Sequence, residues 1–540
     1  MPRRSPVRTV AVMTHPPPIV PAAPAASRRW LLGALAEPGV LGDDPGPVER
    51  HETHGSWVFS AGDRALKVKK PVVLPFLDYG TRERRGAMCR EELCVNRRLA
   101  PDIYLGTVGV VRLADGRAAL DPDDEDFDVV EPAVLMRRFD ERDTLAARVA
   151  AQRATPAQLR SVGARLAAFH AEQACAQAAG AAFDALRSAI RTTLDELAAA
   201  GGVVERAPVV ATLLRGTLEA VLQARRAELL ERGGRGLVAD GHGDLRAEHV
   251  LLTDPIQIVD AVEFDPSLRI ADVACDLGFL VMDLEGRGAG DLAEALVAGY
   301  RDAGGDPGDG TLLAAMACYR ALVRAKVDVV RAGQGDRAAV LAAGARLDQA
   351  VRFAWRARGP QLLAVCGAPA SGKSTLARAL CAQSDMVRIS SDRVRKACFG
   401  VAPDAHAPAT AYTPTATLAV YRALGEHAAA ALATGRGAVL DATLGDPAAR
   451  DALRFGLGRA ASALRYVECR VPAPEARRRA AAREHGPDHE SDATAATAAR
   501  LGPGWRPLDE TPAARHLVVR CDRPVAAVIA DVSAWLDRSL

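Results

Sequence analysis

The sequence predicts a multidomain protein that joins an α+β first part to an α/β second part with a parallel sheet. Three observations lead to this fold class. At 540 residues the chain exceeds what one hydrophobic core supports. In the first part, strand-like runs occur in two clusters separated by long helical sequence. From Gln361 onward, strands alternate with helices, which is typical of a parallel sheet covered on both faces.

The first part begins with elements that predict a small mixed lobe. After a short helix that starts near Trp30, residues 56–59 and 65–68 flank a Gly-Asp turn and predict a β-hairpin. Apolar residues at helical spacing predict long helices further along the chain. The further elements are predicted as a helix over 82–99, strands over 105–113 and 129–137, helices over 143–232, strands over 237–264 and helices to about residue 355.

The second part carries the α/β pattern. Its strands are predicted at 361–366, 387–390, 438–440, 464–471 and 516–519, with helices between them. A Gly-Pro pair at 359–360 marks the boundary between the two parts. The sequence therefore predicts a disordered lead-in over 1–27, a first domain over 28–356 whose small lobe ends near 140, and a second domain over 361–540.

Composition and charge argue against several classes of partner. The chain has 69 Lys and Arg against 67 Asp and Glu, which gives no electrostatic reason to predict a nucleic acid or a membrane as partner. The ten cysteines are scattered, without a pair at zinc-binding spacing, and favour a reducing compartment. No apolar run reaches the roughly 18 residues of a membrane span, and the N-terminus lacks the pattern of a secretory signal. A cytoplasmic protein is predicted.

One segment of the second part predicts a nucleotide site. Gly367-Ala-Pro-Ala-Ser-Gly-Lys-Ser374 fits the Walker A pattern G-x-x-x-x-G-K-[ST], whose backbone N–H groups wrap a polyphosphate. A buried strand precedes it and a helix follows, so the helix N-terminus adds partial positive charge. Lys373 is expected to reach the β- and γ-phosphates of ATP, and the Ser374 hydroxyl to hold Mg²⁺. The predicted nucleotide-binding residues of this loop are Gly367, Ala368, Pro369, Ala370, Ser371, Gly372, Lys373, Ser374 and Thr375.

Two acids and a basic helix extend this predicted site. Asp392 follows one predicted strand and Asp441 ends another, and ligands of open α/β sheets bind at the carboxyl ends of strands. Asp392 is predicted to be catalytic by holding an acceptor hydroxyl, and Asp441 to hold the water shell of Mg²⁺, with helix capping as the alternative for both. Arg479 and Arg483 share a helix face and are predicted to clamp phosphate, with a solvated helix as the alternative. This part resembles the gluconate-kinase, polynucleotide-kinase and zeta-toxin group of P-loop phosphotransferases.

A second informative segment lies in the first part. Gly241-His-Gly-Asp-Leu-Arg-Ala-Glu-His249 combines a loop carrying His-x-Asp with a following apolar strand. It resembles the catalytic loop H-G-D-x-x-x-x-N of aminoglycoside phosphotransferases and other protein-kinase-like small-molecule kinases. The resemblance implies that Asp244 is the catalytic base and that the residue five positions later is a metal ligand. That residue is His249 here instead of Asn, and Mg²⁺ prefers oxygen, so either Glu248 or a later acid replaces it or metal binding is weaker.

The same resemblance implies a metal-binding acid and a phosphate-binding lysine. The acid is expected at the end of the next strand, where Asp260 matches by residue type and Glu263 by hairpin length, and the sequence does not choose between them. Side chains three apart on a regular strand point to opposite faces, so the two acids are not expected to face one metal together. Lys67 resembles the strand lysine that pairs with the α- and β-phosphates, with Glu92 or Glu91 as its ion-pair partner.

Together these features resemble a bacterial fusion of an aminoglycoside-phosphotransferase-like domain, with the bilobal fold of protein kinases, and a P-loop ATP-binding domain. The resemblance implies an ATP- and Mg²⁺-dependent phosphotransferase with two nucleotide-binding domains and a small-molecule hydroxyl acceptor. The alternative left open is a nucleotide-binding regulator whose first part no longer transfers phosphate, because His249 departs from the family pattern. A toxin-like kinase that acts on nucleotide sugars is a third hypothesis.

Overall fold

The computed structural model describes residues 25–42, 47–53, 55–74, 77–122, 129–483 and 505–540 of the chain. The chain divides into two compact units. The first consists of Met1–Thr192 and Arg226–Asp309, and the second of Thr193–Arg225 and Gly310–Leu540. The second unit thus includes helices that precede residue 361, and the sequence-based domain bounds 28–356 and 361–540 stay a prediction. Of the predicted lead-in, residues 1–24 lie outside the described residues.

The first unit begins with a helix followed by a six-stranded antiparallel sheet in the order β1-β2-β3-β8-β6-β7. Its elements are α1 (Ala25–Ala34), β1 (Glu49–Glu52), β2 (Ser56–Ala61), β3 (Arg64–Lys69), β4 (Val73–Leu74), β5 (Leu77–Asp78), α2 (Arg82–Arg97), β6 (Tyr104–Arg112), β7 (Ala118–Asp121) and β8 (Val129–Arg137). Strands β2 and β3 form the predicted hairpin, and strand β7 is an addition to the predicted elements.

Successive side chains of the β2–β3 hairpin point to opposite faces of the sheet, so apolar residues lie on one face and two lysines on the other. Trp57 and Phe59 of β2 and Leu66 and Val68 of β3 share one face of the sheet and are buried in an apolar core. Lys67 and Lys69 therefore point to the other face, on which helix α2 packs against β6 and β8. The sheet thus directs two lysines toward the side of the lobe that carries α2.

The remainder of the first unit is largely helical. The chain continues through α3 (Leu145–Ala150), α4 (Pro156–Glu172), α5 (Ala179–Ala198), α6 (Ala207–Ala224), α7 (Arg226–Gly234), β9 (Val238–Asp240), β10 (Val250–Leu251), β11 (Gln257–Ile258), β12 (Ile270–Asp272), α8 (Val273–Gly286) and α9 (Gly290–Asp302). Of these helices, α6 belongs to the second unit. The strand cluster predicted over 237–264 consists of short strands, and the polar segments between them form the loops that carry the candidate site.

The second unit contains a five-stranded parallel sheet. Its elements after α6 are α10 (Gly310–Gly333), α11 (Arg337–Ala357), β13 (Leu362–Cys366), α12 (Lys373–Ala382), β14 (Val387–Ser390), α13 (Ser391–Cys398), α14 (Pro414–Ala433), β15 (Ala438–Asp441), α15 (Pro447–Leu457), β16 (Leu464–Arg470), α16 (Ala473–Arg483), β17 (His516–Arg520) and α17 (Val525–Asp537). The strand order is β14-β15-β13-β16-β17. All five residues of the central strand β13 are buried, as expected of a parallel strand covered on both faces. The predicted fold class is confirmed.

The predicted boundary near residue 358 is a packed part of the second unit. The Arg358 side chain is only 2% exposed. Its Nε donates to Asp537 Oδ1 at 2.7 Å, and its Nη2 donates to Thr217 Oγ1 at 2.6 Å. Helix α6, the segment that leads into β13 and the last helix α17 are therefore joined by one buried guanidinium. This arrangement explains why α6 clusters with the parallel sheet.

Helices α14 and α15 cross closely because each carries a glycine that lies against the backbone of the other helix. A Cβ on Gly425 would lie 2.4 Å from the carbonyl oxygen of Leu453, and one on Gly456 would lie 2.0 Å from that of Arg422. No side chain fits at such distances. The crossing sets the position of α14, which packs against β14 and β15. These two strands end at the candidate nucleotide site.

We expect Gly425→Ala to lower the free energy of unfolding by about 1–3 kcal/mol, because overpacking forces the two helix backbones apart. Gly344→Ala in α11 of the same unit is the control, since a Cβ there meets nothing within 4 Å. That change should be neutral or stabilising by up to about 1 kcal/mol. Urea unfolding followed by circular dichroism measures both, and equal effects would contradict the close crossing.

Candidate functional site

The phosphate loop predicted in the second unit joins β13 to α12 and has a conformation that depends on glycine. Gly367 has φ +137°, and a Cβ at this position would lie 2.5 Å from the carbonyl oxygen of Cys469. Ala370 also has a positive φ, +63°, which is uncommon for a residue with a side chain. The loop is therefore held in a conformation that an ordinary turn between a strand and a helix does not need.

Two side chains of this loop fit an anionic ligand. Ser371 is 1% exposed, and its hydroxyl has no hydrogen-bond partner among the described residues. The hydroxyl lies inside the loop, because a Cβ on Gly367 would be 2.9 Å from it. Lys373 is the first residue of α12, and within the described part of the chain no hydrogen bond or ion pair holds its ammonium. An unsatisfied buried hydroxyl, a cation and a helix N-terminus together suit a polyphosphate.

An oxygen-rich corner lies beside the loop. Asp441, the buried last residue of β15, accepts a hydrogen bond from Ser374 Oγ at 3.1 Å. Its second oxygen accepts from Arg388 Nη2 at 2.6 Å. A hydroxyl and a carboxylate are hard oxygen donors, so this pair fits the Mg²⁺ that the sequence predicted here. The sequence interpretation missed Arg388, a basic residue between apolar neighbours on the partly buried strand β14.

The other predicted residues of this site lie around the same sheet edge. Asp392 is in the first turn of α13, directly after β14. The Arg479 guanidinium donates to the Cys521 carbonyl oxygen at 2.9 Å, and its Nη1 would lie 3.3 Å from a Cβ on Gly372. Arg479 thus reaches the phosphate loop, whereas the side chain of Arg483 lies outside the described residues.

In the first unit, the predicted catalytic loop is held by buried polar groups. Asp276 of α8 accepts hydrogen bonds from the backbone N–H groups of His242 at 2.6 Å and Gly243 at 2.9 Å. His242 Nε2 donates to the Val259 carbonyl oxygen at 2.9 Å, and its Nδ1 accepts from the Asp244 N–H at 3.3 Å. Burial lowers the pKa of His242 to about 4, so the ring is neutral at pH 7.

Two lysines of β3 share one buried carboxylate of α2. Lys67 Nζ lies 2.7 Å from Glu92 Oε1, and Lys69 Nζ lies 2.8 Å from Glu92 Oε2. Burial lowers the pKa of each lysine, but the neighbouring carboxylates outweigh it and raise both values well above the ordinary one. Glu91, the alternative partner, instead contacts Arg269. The predicted pairing of a strand lysine with Glu92 is therefore present, with a second lysine added.

Asp260 and Glu263 contact different lysines of this cluster. Lys67 Nζ donates to Asp260 Oδ1 at 2.8 Å, and Lys69 Nζ donates to Glu263 Oε1 at 2.6 Å. The expectation that the two acids would point apart assumed a regular strand, but β11 ends at Ile258 and Asp260 has φ +63°. The Lys67 ammonium holds the pKa of Asp260 well below its usual range. Of the two acids, Asp260 is the one beside both Lys67 and His249.

Asp244 and His249 meet around an arginine that the sequence interpretation did not single out. Arg246 donates from Nε to Asp244 Oδ2 at 3.0 Å and from Nη2 to His249 Nε2 at 3.1 Å. His249 Nε2 lies 3.6 Å from Asp260 Oδ2. Lys67, Asp260, His249 and Asp244 thus form a continuous line of contacts within the first unit.

Four polar residues of the two sites escaped the sequence interpretation. They are Lys69, Tyr79, Arg246 and Arg388. The sequence did contain a signal for Lys69: it lies two residues after Lys67 on the same strand, and residues two apart on a strand share a face. Tyr79 donates its hydroxyl hydrogen to Glu263 Oε1 at 2.8 Å, a contact that joins residues far apart in the chain and leaves no local pattern.

Comparison with known proteins gives the family. The "Uncharacterized protein Rv2004c" of Mycobacterium tuberculosis is 33% identical over 468 residues, which cover 84% of this chain and 89% of that protein. The chain belongs to the family of this mycobacterial protein. The match covers most of both chains, so Rv2004c shares the joined order of the two parts. A family model described as an AAA domain matches residues 362–502, the region of the phosphate loop.

Two solved structures also resemble parts of this Rv2004c-family chain. A choline/ethanolamine kinase family protein from Mesorhizobium loti is 18% identical with a TM-score of 0.35, and covers 60% of this chain and 95% of its own. A gluconokinase from Sinorhizobium meliloti is 18% identical with a TM-score of 0.24, and covers 33% and 93%. The AAA-domain match falls on the parallel sheet of the second unit, where the sequence predicted the P-loop part. No helix among the described residues is long and apolar enough to cross a membrane.

The depressed pKa of His242 predicts a pH dependence of stability. Between its ordinary value of 6.5 and its folded value of about 4, the unfolded chain binds a proton that the folded chain does not. The free energy of unfolding should therefore fall as the pH is lowered through this window, by up to about 3 kcal/mol from this group. His242→Asn should flatten the dependence in urea titrations from pH 7 to pH 4.

The control for this prediction is His51→Asn, because His51 is exposed on the edge strand β1. It should leave the pH dependence of the wild type unchanged. A wild-type slope that persists in the His242 variant would show that other groups cause it. Where His242→Asn does not fold, ¹³C-histidine NMR of the wild type replaces it, and one buried ring should stay neutral down to about pH 5.

Proposed function

We propose that this protein is an ATP-dependent phosphotransferase with two nucleotide sites, and that its first unit transfers the γ-phosphoryl group to a hydroxyl of a small molecule. One observation carries the proposal. Lys67 Nζ lies 2.8 Å from Asp260 Oδ1, Asp260 Oδ2 lies 3.6 Å from His249 Nε2, and His249 Nδ1 lies 3.9 Å from Asp244 Oδ2. These four side chains therefore lie side by side in one unit, which supports the proposal.

In the first unit, Asp244 is the proposed base. The acceptor oxygen attacks the γ-phosphorus, its proton passes to the Asp244 carboxylate, and ADP leaves. Arg246 holds this carboxylate in place from two positions further along the chain. Lys67 holds the α- and β-phosphates, and Glu92 orients the lysine from behind. Nucleotide binding then exchanges the Lys67–Asp260 ion pair for a contact between Lys67 and phosphate.

In the second unit, the phosphate loop is the proposed nucleotide site. Lys373 and the N-terminus of α12 supply positive charge, and Arg479 adds a guanidinium beside Gly372. Mg²⁺, when bound there by Ser374 and Asp441, neutralises charge on the β- and γ-phosphates. Asp392 lies after β14 at the same sheet edge and is the proposed partner of an acceptor hydroxyl.

A second candidate function is nucleotide-dependent regulation without phosphoryl transfer in the first unit. It is favoured by the Arg246 guanidinium on Asp244 and by a histidine at position 249. Both candidates predict nucleotide binding, but only the phosphotransferase predicts a labelled product. Screening the full-length Lys373→Ala protein, in which the second unit does not contribute, with γ-labelled ATP against sugars, aminoglycosides and amino alcohols separates them.

We expect Asp244→Asn to reduce acceptor phosphorylation by about 100-fold or more, because the amide cannot take the hydroxyl proton. Nucleotide affinity should change little, since Asp244 does not hold the phosphates in this mechanism. Full-length Lys373→Ala is the background for the assay, so that transfer by the second unit does not contribute. Asp302→Asn, a surface carboxylate paired with Arg160, is the matched control and should retain full activity. Unchanged turnover in Asp244→Asn would remove this residue from the mechanism.

A further inference from the structure

The imidazole of His249 is held in a single tautomer. Its Nδ1 lies 2.9 Å from the Asp244 backbone carbonyl oxygen, which can only accept a hydrogen bond. Its Nε2 lies 3.1 Å from Arg246 Nη2, which can only donate. Nδ1 therefore carries the hydrogen and Nε2 carries a lone pair. A histidine whose other ring nitrogen donates to a backbone carbonyl is arranged as metal-ligating histidines are.

The Nε2 lone pair lies among oxygen donors. Asp260 Oδ2 and Glu248 Oε1 are each 3.6 Å from it. Two atoms that are each about 2.1 Å from one ion can be up to about 4 Å apart, so His249 and Asp260 are within reach of the same ion. The Asp260 side chain is 50% exposed, which leaves room on the solvent side for further ligands.

These residues alone do not form a complete metal cage. Among the described residues, no cluster of three or more His, Cys, Asp or Glu side chains is arranged to hold a metal ion. Phosphate oxygens and waters must therefore fill the remaining positions, as they do for ions that arrive with a nucleotide. The protein contributes one nitrogen and one carboxylate.

This donor pair does not fit Mg²⁺ well. Mg²⁺ takes oxygen ligands and gives up its waters reluctantly, whereas imidazole nitrogen suits first-row transition ions. The second unit differs, because Ser374 and Asp441 offer oxygen only. We infer that the ion bound with the nucleotide in the first unit is a divalent first-row transition metal, ligated by His249 Nε2 and Asp260, while the second unit uses Mg²⁺. The inference rests on the proposed nucleotide site of the first unit.

Arg246 does not block this site permanently. Its Nη2 also lies 2.9 Å from Asp244 Oδ2, and its Nε donates to the same oxygen. The guanidinium can release the imidazole and keep its carboxylate partner. Binding of a metal to Nε2 then costs the charge-assisted hydrogen bond from Arg246 to the imidazole, while the ion pair with Asp244 stays intact.

The test compares full-length Lys373→Ala protein with and without His249→Asn, using Mn²⁺ with ADP as the probe. Electron spin-echo envelope modulation should detect a directly bound ¹⁴N in the first protein and lose it in the second. His51→Asn is the control, because that exposed ring lies on β1 outside the site and its removal should leave the signal intact. His242 cannot supply the signal, since both of its ring nitrogens are used inside the fold.

A second readout is metal preference in acceptor phosphorylation. The ratio of kcat/KM with Mn²⁺ to that with Mg²⁺ should fall at least tenfold in His249→Asn, because asparagine restores an oxygen ligand. The inference is overturned if Mn²⁺–ADP shows no ¹⁴N coupling, if the coupling survives in His249→Asn, or if the ratio is unchanged. Absence of nucleotide binding in the Lys373→Ala protein would instead overturn the proposed function, together with the inference that depends on it.

Discussion

The ion pairs of Glu92 determine how the first unit presents its charges. Two cations, Lys67 and Lys69, leave the same face of β3, and burial of an uncompensated ammonium is costly. One carboxylate of α2 contacts both ammonium groups, and the loop after β11 adds the negative charges of Asp260 and Glu263. Ion pairs therefore join β3, α2 and the loop after β11. An anionic ligand that binds Lys67 competes with the carboxylates that already contact this lysine.

The candidate sites of the two units differ in the source of their positive charge and in how that charge is paired. In the second unit, positive charge comes from backbone N–H groups, a helix N-terminus and Lys373, and the acid Asp441 is already held by Ser374 and Arg388. In the first unit, the charge of Lys67 is neutralised by Asp260 and Glu92. Within the described part of the chain, the phosphate loop thus offers its positive charge without a paired acid on Lys373, whereas Lys67 of the first unit is already paired with two carboxylates.

Sequence reasoning worked where chemistry is local and failed where it depends on distant contacts. The phosphate loop, the strands around it and the Lys67–Glu92 pair follow from short patterns, and the structure contains them. Tyr79 left no local pattern, because its partner Glu263 lies in a remote loop. Arg246 was missed for another reason: its partner Asp244 is only two residues away, but no motif marks the pair. Asp260 could not be preferred over Glu263, since the choice depends on a backbone φ of +63° that no periodicity reveals.

The proposed function requires that one chain hold two nucleotides, each beside its own lysine. Equilibrium dialysis of the full-length protein with a labelled, non-hydrolysable ATP analogue, Mg²⁺ and Mn²⁺ tests it most directly. We expect two nucleotides bound per chain in the wild type and one in Lys373→Ala. A single nucleotide in the wild type that is lost entirely in Lys373→Ala would contradict it, because the first unit would then have no site of its own.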